Sequence, residues 1–236
     1  MTNNIGYYGT WSAATQAAPA ENYWQNLYDP NGDYSQCYWD AKNVISAYAV
    51  YQLPFGRGKQ FAHDMPKAVD AVVGNWAINP IVSWHSGFPI ALYASDNSGT
   101  GSPSPRPDCD GPVSYPKVDV GGLGKQWFNP TAFSQPASGF GDCPAQGPVI
   151  GPGYFDADIS LQKNFLITES KSLQFRADFL NSTNHPSFGA PSHSCGSSGS
   201  NLCGTNNFGP TDTNTMGITD ITQDARQLQF ALKFIF

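Results

Sequence analysis

Between Phe155 and Phe179 the chain changes polarity at almost every residue. Phe155, Ala157, Ile159 and Leu161 alternate with Asp156, Asp158, Ser160 and Gln162; after Thr168-Glu169-Ser170-Lys171, Leu173, Phe175, Ala177 and Phe179 alternate with Gln174, Arg176 and Asp178. Successive side chains of a strand point to opposite faces, so a period of two predicts a hairpin with one greasy and one charged face. The C-terminal stretch repeats the pattern, with Leu228, Phe230, Leu232, Phe234 and Phe236 on one side and Gln227, Gln229, Ala231 and Lys233 on the other. Two earlier segments are rich in β-branched and aromatic residues. The expected strands are therefore 43–53, 75–86, 154–165, 172–181 and 226–236, an all-β antiparallel arrangement. Pro80 lacks a backbone N–H and assigns the second strand to an edge or a bulge. Residues 65–73 carry Ala68, Val69, Val72 and Val73 at helical spacing, and residues 1–41 read as loop.

Composition removes several function classes. Only 13% of the 236 residues are charged and the net charge is −6, whereas a protein that tracks nucleic-acid phosphates needs a basic face. No run approaches the roughly 18 apolar residues of a membrane helix. A membrane-spanning strand needs only about 9–11 residues of alternating polarity, so a mean hydropathy of −0.35 leaves a barrel open.

The connections between the strands decide further. They run 54–74, 87–153, 166–172 and 182–225, alternating between modest and long, as in outer-membrane barrels with short periplasmic turns and long outer loops. In lipid every backbone group must be satisfied within a closed sheet, so the outer side chains are apolar while the interior is wet. Phe155, Ile159, Leu161, Phe175, Phe179, Leu228, Phe230, Leu232 and Phe234 are then expected to face lipid. Asp156, Asp158, Gln174, Arg176 and Asp178 are expected to face the lumen, with Arg176 pairing a carboxylate across the hairpin. Trp76, Trp84, Phe165, Phe234 and Phe236 stand near strand ends, where barrels carry aromatic girdles. Arg57 and Lys59 mark the periplasmic boundary. The competing architecture is a soluble β-sandwich of a surface binding or adhesion protein, whose strands alternate in the same way.

Five cysteines lie in predicted loops. Cys109 with Cys143, and Cys195 with Cys203, read as two disulfides with Cys37 as the odd thiol. Disulfides imply an oxidising compartment, while the N-terminus has neither the basic start nor the apolar run of a secretory signal. Either one of these two inferences fails or the chain is a piece of something longer.

Several motifs taken together resemble a known family. They are Tyr51-Gln-Leu-Pro-Phe-Gly-Arg-Gly-Lys59, Gly74-Asn-Trp76, Ser86-Gly-Phe-Pro89, Trp127-Phe-Asn-Pro-Thr-Ala-Phe133, Gly151-Pro-Gly153, Asp158-Ile-Ser-Leu-Gln-Lys-Asn-Phe165, Leu173-Gln-Phe-Arg-Ala-Asp-Phe179, Asn184-His-Pro186 and the stretch from Arg226 to Phe236. From about residue 42 to the end they resemble the C-terminal barrel segment of TonB-dependent outer-membrane receptors of the Oar-like, carboxypeptidase-regulatory-like-domain subgroup. The resemblance implies the last strands of a plugged barrel of about 22 strands, with residues 1–41 as the remnant of an extracellular loop. It implies Phe236 as the signal read by the barrel-assembly machinery, outer-membrane lipid as surroundings, and TonB as a partner only through an absent N-terminal part. The plug, the remaining strands and the regulatory-like domain are missing from this sequence, and five strands cannot close a barrel.

No enzyme chemistry, cofactor or metal is expected. His185, His193, Cys195 and Cys203 match no compact ligand spacing. The Asp29 to Asp40 stretch has Tyr34 where a calcium loop needs glycine. Asp156 and Asp158 read as wet lumen residues, and Gly121-Gly-Leu-Gly-Lys125 lacks the Ser or Thr of a phosphate loop and reads as a turn.

Overall fold

A computed structural model describes residues 2–3, 25–26, 28–37, 39–102, 105–168, 171–195, 203 and 216–236. Glu169 and Ser170 of the hairpin turn, Pro103, and residues 196–202 and 204–215 of the second long loop lie outside the described residues. The chain divides into two compact units, one of residues 44–84, 155–186 and 223–236, the other of residues 1–43, 85–154 and 187–222.

The first unit is built on an antiparallel sheet. Its strands are β1 (Val44–Tyr48), β2 (Tyr51–Gln52), β3 (Trp76–His85), β4 (Tyr154–Leu166), β5 (Ser172–Leu180) and β6 (Gln227–Ile235), with helix α1 (Lys67–Val73) between β2 and β3. The order across the sheet is β6-β5-β4-β3-β1, with β2 also on β3. From β3 onward each strand pairs with the next in sequence, and β1 and β2 both pair with β3, the meander expected of a barrel wall. Among the described residues the sheet does not close, and β1 and β6 are its two edges.

Pro80 does not behave as the sequence predicts. β3 is an inner strand, flanked by β4 and β1. The interruption falls on its partner: Ala49 donates its N–H to the Pro80 carbonyl at 3.1 Å, but proline has no N–H to return. The ladder therefore breaks between Tyr48 and Tyr51, and the strand expected over 43–53 becomes two. Helix α1 starts directly after Pro66, whose fixed φ suits a helix entry.

The second unit holds the hydrophobic core. Ile90, Leu92, Phe128, Phe133, Val149 and Met216 are almost fully buried and cluster with Cys143, Cys195 and Cys203. None of the sheet's apolar residues from β4, β5 or β6 belongs to this cluster. Among the described residues, the Pro-rich 87–152 segment supports only two-residue ladders, such as Pro89–Ile90 with Val149–Ile150 and Asp108–Cys109 with Phe133–Ser134. With so many N–H groups removed by proline, core burial and cross-links hold the segment instead. Disulfides join Cys109 to Cys143 and Cys195 to Cys203, while Cys37 belongs to neither bridge.

Two of the sequence motifs meet here. Gly151 donates its N–H to the Phe88 carbonyl at 2.8 Å, and a Cβ on Gly87 would stand 1.8 Å from the Gly151 carbonyl oxygen. Both Ser86-Gly-Phe-Pro89 and Gly151-Pro-Gly153 thus need glycine because backbone approaches backbone. Gly87→Ala should cost this unit roughly 3 kcal/mol or more, since neither main chain can give way. A chemical-denaturation midpoint unchanged by that substitution would refute the contact.

Candidate functional site: a two-faced sheet

The register couples the stripes across strands. Ile159, Phe179 and Leu228 lie in one row, Leu161, Ala177 and Phe230 in the next, then Lys163, Phe175 and Leu232, then Phe165, Leu173 and Phe234. Direct antiparallel partners share a face, so the nine residues expected to face lipid fall on one surface by register and alternation. Phe155, Ile159, Leu161, Phe175 and Phe179 are half-buried by their neighbours, and Phe175 and Phe230 stack at 6.2 Å between ring centroids. On the edge strand Leu228, Phe230, Leu232 and Phe234 are 53%, 67%, 66% and 51% exposed. A second sheet would have covered them. Phe236 is 90% exposed, its ring 5.9 Å from that of Phe234.

The opposite face is polar at its centre except for Ala231, which stands opposite Arg176. Ser160, Asp178 and Gln229 form one row; Asn164, Gln174 and Lys233 form another. Gln174 donates Nε2 to Asn164 Oδ1 at 3.0 Å. Asp158 accepts the backbone N–H of Asn181 at 2.9 Å, and Asp156 accepts Gln223 Nε2 at 2.7 Å.

Arg176 has a different carboxylate from the one expected. Its Nε meets Asp178 Oδ1 at 2.7 Å, and its Nη2 donates to Ser160 Oγ at 3.3 Å; Ser160 in turn donates to Asp178. The register explains the correction. Arg176 stands opposite Gln162, which places Asp158 four residues along that strand, roughly 13 Å away at 3.3 Å per residue. Asp178, two residues along its own strand, shares its face and lies within reach.

Lys163 is a residue the sequence pattern does not assign. It continues the odd-numbered apolar stripe of β4, stands opposite Phe175 and is only 3% exposed. Its Nζ donates to the Gly74 carbonyl and lies 5.1 Å over the Trp76 ring and 4.9 Å over the Phe165 ring. A cation at the end of an apolar stripe reaches a carbonyl and two aromatic faces rather than hydrocarbon. Trp76 and Phe165, two of the expected girdle aromatics, are thereby gathered at one end of the sheet.

The second unit contains an ion pair no local pattern signals. Arg106 Nη1 lies 2.8 Å from Asp33 Oδ1, with both side chains more than nine-tenths buried. Gln25 Oε1 accepts the backbone N–H and Nε of Arg106 at 2.8 and 2.9 Å, and Gln25 Nε2 donates to Gly141 O at 2.8 Å. Burial pushes the Asp33 carboxyl up against the opposing pull of Arg106, and burial pushes the guanidinium down. Asp33, a candidate oxygen of the Asp29 to Asp40 stretch, is thus committed to Arg106, and residues 30–33 form a 3-10 turn. Cys109, Asp142 and Cys143 lie close enough to hold a metal, but both sulfurs are in the disulfide. Gly121–Leu123 is likewise a 3-10 turn, leading into Lys125–Gln126.

His193 gives this unit a pH response. Burial holds its imidazole below the ordinary histidine range. The unfolded chain then takes up a proton near pH 6.5, while the folded one resists until lower pH. Stability is fully present above about pH 6.5 and declines as pH falls from there toward the lowered value. Unfolding midpoints from pH 7.5 down to 5 should show the decline, and His193→Gln should remove that component.

A family model described as an outer membrane beta barrel domain matches residues 3–229. A search of curated proteins and one of solved structures each found no match. The matched span runs through the two-faced sheet and its connections, and with it the chain belongs to the outer membrane beta-barrel domain family, as an incomplete antiparallel barrel segment of the outer membrane.

Proposed function

We propose that this chain is part of a TonB-dependent receptor that carries a large ligand across the outer membrane, and that it does not transport alone. The observation that carries the reading is the apolar stripe of β4, β5 and β6, most exposed on the edge strand. It suits acyl chains outside and a wet lumen on the Asp, Arg and Gln side. The open edges β1 and β6 suit a wall completed by further strands and filled by a plug from the rest of the barrel. Phe236, exposed at the end of the last strand, suits recognition by the barrel-assembly machinery. In this reading TonB is engaged by a part of the receptor other than these residues.

The loops 87–152 and 182–223 are where ligand selection resides in this reading. Long loops of a rigid barrel carry recognition, and the two disulfides and the buried core brace the described parts of these segments. The genomic sequence upstream of Met1 tests the proposal: an in-frame plug and further strands support it, and an upstream region with neither overturns it. Fractionation is the second arm. The chain should sediment with outer membrane and require detergent, whereas recovery as a soluble monomer would favour a surface binding protein of sandwich type.

A further inference from the structure

The connection between β2 and β3 is more than a turn. Phe55 and Phe61 approach to 5.6 Å across a loop in which Gly56 and Gly58 take positive φ, and α1 follows. Asp70 of α1 accepts the backbone N–H of Arg57 at 2.8 Å, tying loop to helix. A helix this short is marginal by itself. Its last carbonyls are held from outside: Trp76 Nε1 donates to Val72 O at 2.9 Å, and Lys163 donates to Gly74 O.

Those two donors fix where the helix lies. Lys163 belongs to the apolar face, opposite Phe175, and its ammonium lies over the Trp76 ring. The C-terminal end of α1 is therefore held on the apolar side of that end of the sheet. Val69, Val72 and Val73, at i, i+3 and i+4 on one side of the helix, are 45%, 68% and 41% exposed. Phe55 and Phe61 are exposed beside them in sequence, as are Leu166 and Ile167 in the next turn at the same end. Arg57, Lys59 and Lys67 are exposed as well. Of the two acidic groups of this segment, Asp70 accepts the backbone N–H of Arg57 and Asp64 lies 2.7 Å from exposed His63, and the three cations outnumber these two carboxylates.

We propose that residues 53–75 form a foot that rests in the periplasmic leaflet, its valines and phenylalanines among the upper acyl chains and Arg57, Lys59 and Lys67 on the phosphates of anionic phospholipid. The inference rests on the sheet being membrane wall, and it adds a lipid-binding site to a segment otherwise read as a connection. Lipid is the occupant because the exposed valines continue the surface assigned to it, and because three cations against two carboxylates leave the segment net positive toward a negative headgroup layer.

The test uses the full chain, purified from outer membrane and reconstituted in vesicles of phosphatidylethanolamine and phosphatidylglycerol. Cys37→Ser removes the odd thiol, and single cysteines at Val72, Leu232 or Asp64 carry an environment-sensitive fluorophore. Doxyl-labelled lipid should quench the labels at Val72 and Leu232 about threefold more than that at Asp64, which iodide should quench instead. If iodide quenches at Val72 while lipid still quenches at Leu232, the foot stands in water and the inference fails with the wall intact. Iodide quenching at both sites fails the wall itself. A Val72 label reached by neither quencher is covered by protein and also overturns the foot. Replacing all three cations with glutamine, or using phosphatidylcholine vesicles, should reduce lipid quenching at Val72 about twofold; no change would remove the phosphate contact.

Discussion

Phe230→Arg should deplete the outer-membrane form sharply, while Gln229→Arg, one residue away, should leave it nearly intact. Phe230 lies mid-strand in β6, between Leu228 and Leu232 on the stripe assigned to lipid, and is 67% exposed. An arginine on the lipid face near the bilayer midplane costs about 2–4 kcal/mol, a drop of roughly 30- to 1,000-fold in the folding equilibrium at 1.36 kcal/mol per decade. Gln229 faces the other way, directly opposite Asp178, where a second cation meets a carboxylate in a wet interior. Unfolding in denaturant from lipid vesicles, together with the yield in the outer-membrane fraction, measures both. Phe175→Asp belongs to the same series and should block assembly. Equal losses for the two arginine variants would mean that neither face meets lipid, and a larger loss for Gln229→Arg that the faces are assigned backwards.

The second large effect is expected far from the sheet. Asp33→Asn should destabilise the loop unit by about 3–5 kcal/mol, because it leaves the buried Arg106 guanidinium without its counter-charge. Asp33→Leu combined with Arg106→Met should be close to neutral, since both charges then leave together and the desolvation penalty goes with them. Near-UV circular dichroism across a thermal ramp reads the unit's aromatic core and compares the three chains. A single-variant loss below about 1 kcal/mol would mean that the pair is solvated and contributes no more than a surface bridge. The ligand-selecting role proposed for these loops depends on this rigidity, so the Asp33→Asn chain should also lose any ligand affinity the unit has.

Much of the sheet was legible because strand alternation is local information. Each of Phe175, Arg176 and Ala177 needs only its two neighbours for its face to be assigned, and the helix at Lys67–Val73 needs only its valine spacing and the proline before it. Lys163 stands two residues beyond Leu161 on the greasy stripe, and its destination does not follow from alternation. Where partners lie far apart in sequence, local pattern gave no purchase. Pro80 belongs in the middle of the sheet because β1 and β4 both pair with β3. Arg176 meets Asp178 because the register sets Asp158 out of range. Neither follows from composition.

The loops mark the sharper division. Proline density removes N–H donors from 87–152, yet the same segment encloses Phe128, Phe133 and Ile90 and brings Gly87 against Gly151. Gln25, Asp33 and Arg106 converge from separated parts of the chain to share one buried network.

By itself the order of residues determined which side chains share a face, because a strand reverses direction at every residue whatever surrounds it. Which face meets which neighbour, which cation finds which carbonyl and which glycines touch were decided only in three dimensions, because register, loop closure and burial join residues that no short window of sequence contains.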